Sequence, residues 1–322
     1  MSAVSVRSLS KSYSYARRAK GWRGAFSAQT VAVDAVCEVS FEVEAGEQVA
    51  VIGPNGAGKS TTLKMLTGVL EPSAGEAEVL GLTPWRSRKA LAYQIGVVFG
   101  QRSQLWADLP ARDSFNLLRR IYDQPQTVFD HRLGEMIERF DLADFIGQPV
   151  SRMSLGQRMR CEITASLLHG PSLLLLDEPT IGLDVTAKAA IRDFIRDQAQ
   201  AKGLTVLLTS HDTRDIELVC ERVIVVNQGR IVVDQSTDQL RRRFLGRKII
   251  TFQSAGALPS LELAGVVRRP SAPHTTILEV DTAKAPVAQV IALAMASGDI
   301  EDVTIEDPPM EEVIHDIYAD LR

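Results

Sequence analysis

Nine consecutive residues, Gly53-Pro54-Asn55-Gly56-Ala57-Gly58-Lys59-Ser60-Thr61, have the composition of a loop that cradles phosphate. Glycines at 53, 56 and 58 let successive backbone N–H groups converge on phosphate oxygens with no Cβ in the way. Lys59 is long enough to reach the β- and γ-phosphates of a nucleoside triphosphate, and the Ser60 hydroxyl suits Mg²⁺. A second cluster, Asp177-Glu178, closes an apolar run of four leucines at 173–176. Asp177 suits the same Mg²⁺, through water, while Glu178 is placed to polarise an attacking water as general base. The two clusters complement each other, because the loop demands a carboxylate for its metal. Together they predict hydrolysis of a bound triphosphate.

Such groups work only if regular elements hold them. Gln48-Val49-Ala50-Val51-Ile52 reads as a buried strand entering the loop, and Thr61-Thr62-Leu63-Lys64-Met65-Leu66 opens a helix whose N-terminus adds partial positive charge. Further strands are expected at 4–9, 39–43, 77–80, 95–99, 205–208 and 223–226, the short apolar runs being typical of a parallel sheet. Apolar residues at three-and-four spacing, such as Phe115, Leu118, Ile121 and Leu133, Met136, Ile137, Phe140, predict helices over 111–147. After the basic residues 241–243, 247 and 248 the pattern changes. Strands at 249–252, 266–268, 276–280 and 303–306, with helices at 287–296 and 310–318, predict a small α+β domain over 247–322. Residues 14–30, with Arg17, Arg18, Lys20, Trp22 and Arg23, read as a basic loop interrupting the opening strands. A solvated insertion and contact with an anionic membrane surface are both compatible with it.

Several segments together resemble the nucleotide-binding subunit of an ATP-binding cassette transporter, over residues 1 to about 240. Ser154-Leu155-Gly156-Gln157 resembles the family signature, with Leu155 in place of its first glycine. Residues 179–184, ending in Asp184, resemble the loop that crosses the dimer interface. His211 resembles the switch histidine that bonds the γ-phosphate, although a histidine at a strand end is often structural. Gln101 resembles the glutamine that senses Mg²⁺ and water, one place late because Gly100 intervenes; Gln104 fits the spacing less well. Tyr13 resembles the aromatic that stacks on adenine, with Tyr15 or a plain core role as alternatives.

The resemblance implies an α/β fold: a P-loop NTPase core with a helical subdomain at about 102–170, making an ATPase domain over 1–246. It implies ATP and Mg²⁺ as ligands. Nucleotide contacts fall to Tyr13, 53–61, Ser154, Gly156, Gln157 and Asp184, metal contacts to Ser60, Gln101 and Asp177, and catalysis to Glu178, His211 and Gln101. It also implies a head-to-tail dimer in which Ser154 faces the nucleotide of a second copy. The stretches 97–106 and 108–110, the insertion and residues 305–314 resemble a bacterial subgroup of drug, viologen and polysaccharide exporters. A separate integral membrane permease is then expected, docking on 101–122 through an exposed Leu105 or Trp106, with core packing as the competing account of both. An importer ATPase with a regulatory C-terminal domain, or a soluble non-transport ABC ATPase, is the alternative.

Composition sets outer bounds. The 322 residues are 45% hydrophobic and 24% charged, with a net charge of −4, so no basic excess points to nucleic acid. No apolar run approaches the roughly 18 residues that span a bilayer. Three widely spaced cysteines fit neither a metal site nor a disulfide framework, and buried reduced thiols are expected. The expected location is the cytoplasmic face of the membrane, held there by the partner.

Overall fold

The computed structural model describes residues 2–18, 28–100, 103–210, 213–244, 246–256, 263–308, 312 and 317. Two compact units emerge, Met1–Gln235 and Ser236–Arg322. The first opens with β1 (Ser2–Arg18), β2 (Ala28–Glu44), β3 (Gln48–Ile52), α1 (Lys59–Leu66) and β4 (Ala74–Val79). It continues through α2 (Arg88–Ala92), β5 (Ile95–Phe99), α3 (Ala111–Ile121), α4 (Gln126–Arg139) and α5 (Leu155–Leu167). Then come β6 (Leu173–Asp177), α6 (Val185–Lys202), β7 (Thr205–Thr209), α7 (Thr213–Val219), β8 (Arg222–Asn227) and β9 (Arg230–Ser236).

Six strands form one sheet in the order β5-β6-β7-β3-β8-β9, with β5, β6, β7, β3 and β8 mutually parallel. Helices cover such a sheet on both faces, so its strands read as unbroken apolar runs. The four leucines of β6 are accordingly all buried. A second, antiparallel sheet, β2-β1-β4, packs its inner residues Val4, Val6, Phe41 and Val43 into the same core as Leu63 and Leu66 of α1. That core clamps α1, and so the loop before it, between two sheets.

The expectation for 14–30 is corrected in part. β1 continues to Arg18 and β2 starts at Ala28, paired through Ser12↔Asp34, Tyr13↔Val33 and Arg18↔Ala28. The period-two alternation of Tyr13, Tyr15, Val31 and Val33 favours extended chain, and the interspersed charges mask it in the sequence. Residues 19–27 lie outside the described residues. The three-and-four pattern over 111–147 becomes α3 and α4, which bury Phe115, Leu118, Phe129, Leu133 and Met136. Leu105 is only 6% exposed and belongs to the core, whereas Trp106 is 41% exposed. All three cysteines are free thiols. Cys161 and Cys220 are buried, and Cys37 is half-buried.

One buried group gives the first unit an acid weakness. His169, just after α5, stacks on Tyr122 with centroids 4.1 Å apart, and its Nε2 lies 2.9 Å from the Ile95 carbonyl. Nδ1 is buried without a partner among the described residues. Burial lowers its pKa from 6.5 to about 4, against the opposing pull of the Ile95 bond. The unfolded chain therefore binds a proton below pH 6.5 that the folded chain refuses. The histidine's contribution is intact above pH 6.5 and is lost as pH falls toward 4, by up to about 3 kcal/mol. Urea unfolding of wild type should thus fall more steeply between pH 6.5 and 4.5 than that of His169→Gln. Equal slopes would remove His169 as the cause.

The second unit contains α8 (Thr237–Phe244), β10 (Arg247–Ser254), β11 (Val266–Arg269), β12 (Thr275–Asp281), α9 (Val287–Ser297) and β13 (Ile300–Glu306). Its antiparallel sheet runs β11-β12-β10-β13. One face places Ile250, Phe252, Leu278 and Val280 against Val290 and Ala294 of α9. The helix expected at 310–318 lies outside the described residues except for positions 312 and 317.

Candidate functional site

The loop between β3 and α1 is shaped by what surrounds it. Gly58 has φ +105°, and a Cβ there would meet the Ala35 carbonyl oxygen at 2.4 Å. At Gly53 a Cβ would meet the Val226 carbonyl oxygen at 2.3 Å. Both positions exclude any side chain, so the glycines are required by fit as well as by the need to expose N–H groups. Lys59 is nearly fully buried and donates from Nζ to the carbonyls of Gly53, at 2.7 Å, and Pro54, at 3.3 Å. Burial lowers its pKa, while the charges of Glu178 and Asp177 pull the other way. The ammonium therefore sits folded over its own loop, facing two carboxylates.

Those carboxylates arrive at the end of β6. Asp177 Oδ1 accepts from Ser60 Oγ at 2.9 Å and from Thr209 Oγ1 at 2.7 Å. The Glu178 N–H donates to the Thr209 carbonyl at 3.0 Å and to its hydroxyl at 3.1 Å. Glu178 itself has φ +54°, an uncommon backbone for a residue with a Cβ and a kind of strain that clusters at working sites. The inserted Gly100 donates its N–H to the Asp177 carbonyl at 3.0 Å, and a Cβ there would lie 2.8 Å from that oxygen. The extra residue must be glycine because it lies against the end of β6.

Two residues that sequence reasoning missed hold this end together. Thr209 sits at the end of β7, directly beside Asp177 in the parallel register, so strand adjacency was the available signal. Asp215, 1% exposed, receives Arg192 Nε on one oxygen and the hydroxyls of Thr180 and Ser210 on the other. It ties the turn after Glu178 to the end of β7. Removing one partner of a buried ion pair strands the other, at a cost of about 3–5 kcal/mol. Asp215→Asn should lower unfolding stability by that order in urea; a loss below about 1 kcal/mol would contradict the pairing.

A cavity of about 920 Å³ unites residues 55–61 with Asp177, Glu178, Gly100 and Ile181. Gly53 and Pro54 lie beneath it as acceptors for Lys59. Ser154, Gly156, Gln157, Asp184 and Tyr13 do not line it. Ser154 caps α5 in a reciprocal box with Gln157: its hydroxyl accepts from the Gln157 N–H at 3.2 Å, and its own N–H donates to Gln157 Oε1 at 2.9 Å. Asp184 accepts from the Ala187 N–H at the start of α6. Leu155 packs over the next loop, its Cδ2 2.7 Å from where a Gly182 Cβ would stand. Tyr13 is exposed on the β1–β2 ribbon with the Lys11 ammonium 5.7 Å from its ring centroid. Gln104 donates to the Glu162 carbonyl. Gln101 and His211 lie outside the described residues, as does the side chain of Tyr15.

Residues 36–181 match the family model described as ABC transporter. Over 294 residues the chain is 34% identical to the daunorubicin resistance ATP-binding protein DrrA3 of Streptomyces coeruleorubidus, covering 88% of this chain and 91% of that protein. The chain belongs to the ABC transporter family. It is an ATP-binding subunit and an ATPase of that family. The Nod factor export ATP-binding protein I of Neorhizobium galegae is 35% identical over 245 residues, 76% of this chain and 68% of that one. Among solved structures, an ATP-binding subunit of an ABC transporter superposes with a TM-score of 0.63 at 27% identity, covering 75% of this chain and 93% of its own. A dimeric ATP-binding cassette with ADP and Pi bound, 24% identical, gives a TM-score of 0.62 over 72% of this chain and 98% of its own, and establishes the fold. The α/β architecture and the ATPase reading both follow for this ABC subunit. Among the described residues no helix is long and apolar enough to cross a membrane.

Proposed function

We propose that this chain hydrolyses ATP at sites shared by two of its copies and drives export through a separate integral membrane partner. One observation carries the shared site. The phosphate loop and both carboxylates meet in one cavity, while the capped helix start at Ser154 stands exposed outside it. A helix N-terminus is an anion site, and this one stands outside the cavity that its own chain's phosphate loop lines. A second copy in two-fold, head-to-tail arrangement would bring it an anion. Exposed Leu155, Ile181 and Val185 near both half-sites are consistent with a surface that is covered on assembly.

Within each site the roles follow from geometry. The loop N–H groups and Lys59 bind and orient the phosphates. Glu178 holds the proton of the attacking water, and Thr209 fixes its backbone. Ser60 and Asp177 present only oxygen donors toward one point, which suits Mg²⁺, and they would hold it with phosphate oxygens completing the shell. Bound there, the ion would neutralise charge on the phosphates. We assign the γ-phosphate contact to His211, the water and metal contact to Gln101, adenine stacking to Tyr13, and trans contacts to Ser154, Gly156, Gln157 and Asp184. Residues 1–246 carry this chemistry and 247–322 an accessory role.

Export is favoured because relatives named for drug resistance and Nod factor export match over most of their length. The partner would hold the chain at the cytoplasmic face. ATP-dependent loading of inside-out vesicles that carry the chain with its co-purifying membrane protein tests the direction. ATP-driven emptying of such vesicles would establish import instead.

Trp106 is the proposed anchor on the partner. It carries no catalytic group and is well exposed, so Trp106→Ala should leave isolated ATPase activity and melting temperature nearly unchanged. A buried aromatic anchor at an interface is worth about 2 kcal/mol or more, so partner-stimulated hydrolysis and transport should fall together. A large drop in melting temperature with partner binding intact would return Trp106 to the core.

A further inference from the structure

Near the middle of α5 a carboxylate is buried beside Cys161 and Ile163, both fully inside. Glu162 is only 5% exposed. Burying a charge is expensive unless its oxygens find donors. Both do, and both donors come from one short stretch of chain. Oε1 accepts from the Ser103 hydroxyl, and Oε2 accepts from the Gln104 N–H at 3.1 Å. The Gln104 side chain adds a third bond, its Nε2 donating to the Glu162 carbonyl at 3.0 Å. The Leu105 N–H donates in turn to the Ser103 hydroxyl at 3.1 Å, and Leu105 is buried. Desolvation raises the Glu162 pKa, and the Ser103 and Gln104 bonds oppose that rise. A well-packed apolar side chain would be easier to bury here, so the carboxylate's value lies in what it holds.

We propose that Glu162 is a positioning residue that locks residues 103–105 onto α5, fixing the start of that helix relative to the wall of the ATP cavity. Ser103 lies three residues beyond Gly100, which lines the cavity and donates to the Asp177 carbonyl. Glu162 in turn lies eight residues beyond Ser154, about 12 Å along the helix. Ser154 serves the nucleotide of the second copy in the function proposed above, and the lock rests on that reading. It connects the two sites. A rearrangement at Gly100 in one site passes through Ser103, Gln104 and Glu162 to the helix start that completes the other. Glu162 does not line the cavity and acts only through those residues.

A plain packing role for Glu162 is the competing account, and the other end of the bond separates the two. Ser103 is exposed, and its hydroxyl bonds Glu162 and the Leu105 backbone. Removing that hydroxyl opens no cavity, so stability should hold, whereas replacing Glu162 disturbs packing as well. With the lock loosened, the start of α5 occupies its competent position for a smaller share of the time. The apparent strength of the ATP-bound dimer falls by that share. A single copy's affinity for ATP depends on residues 53–61 and is untouched.

Two measurements on the full chain test this: light scattering of the ATP-bound dimer in the Glu178→Gln background, and steady-state hydrolysis without that substitution. Ser103→Ala should weaken the dimer and lower kcat by about three- to tenfold, the range that one hydrogen bond commonly carries. Its melting temperature, and its affinity for fluorescent ATP as a dilute monomer, should match wild type. Ser103→Thr keeps the hydroxyl and should behave like wild type in both measurements. Glu162→Gln should lower both at least as far as Ser103→Ala, and combining the two should add nothing, because they act as one unit. The lock is overturned by a Ser103→Ala chain with wild-type dimer and turnover, by Ser103→Thr as weak as alanine, or by additive losses in the double variant. A melting temperature that falls in step with turnover in Ser103→Ala would reduce Glu162 to packing. If the Glu178→Gln parent stays monomeric with ATP, the shared site fails and the lock falls with it. A parent that dimerises while Ser103→Ala changes nothing removes the lock alone.

Discussion

Glu178→Gln should bind ATP like wild type and hydrolyse it about 10²–10⁴-fold more slowly, the usual cost of losing a general base. The amide keeps the size and hydrogen-bonding reach of the carboxylate but cannot take the proton of the attacking water. Nothing else at the strand end should move. The Glu178 N–H donates to both the carbonyl and the hydroxyl of Thr209, bonds that the substitution leaves in place. Binding and turnover therefore separate. With ATP in excess the variant should accumulate as an ATP-bound dimer, visible as a doubled mass in light scattering at concentrations where the nucleotide-free chain is monomeric. Hydrolysis within a fewfold of wild type would assign the base to another residue.

Lys59→Ala should fail earlier, at binding. The ammonium is the one cation of the phosphate loop itself, and burial makes each of its interactions stronger than at the surface. Charge-assisted hydrogen bonds are worth about 1.5–3 kcal/mol each, so ATP affinity should fall roughly 10- to 100-fold. Lys59 is bonded to the Gly53 and Pro54 carbonyls, which would share its ammonium with a bound phosphate. The alanine variant leaves those carbonyls without that donor and should also lose some stability. Fluorescent ATP binding with wild-type affinity would contradict the loop's assignment. Because Glu178→Gln loses turnover and Lys59→Ala loses affinity, the pair separates chemistry from binding.

The contiguous parts of this site were legible in the sequence, and the parts assembled from distant segments were not. Residues 53–61 and 173–178 announce themselves because each packs strand, turn and chemistry into one short run. The parallel sheet was equally plain, since strands buried on both faces read as unbroken apolar stretches. Thr209 and Asp215 carry no such mark. A threonine at a strand end and an aspartate in a helix's first turn are ordinary until the fold sets them beside Asp177 and Thr180. Leu105 was compatible with an anchor or with core packing, and its burial makes it core, because exposure depends on packing that spacing alone does not reveal. The long β1–β2 ribbon was hidden by its charges. Gly100 looked like a disturbance of the glutamine segment; its contact with the Asp177 carbonyl gives the insertion a structural reason.

The central claim is that one copy's phosphate loop and another's Ser154 hold the same nucleotide. Light scattering of the Glu178→Gln variant with and without Ser154→Arg tests it most directly. With ATP and Mg²⁺ the Ser154 form should double in mass. The Ser154→Arg form should bind ATP with the same affinity and remain a monomer, since its fault lies in trans. ATP-driven dimers of equal strength in both, or none in either, would contradict the shared site.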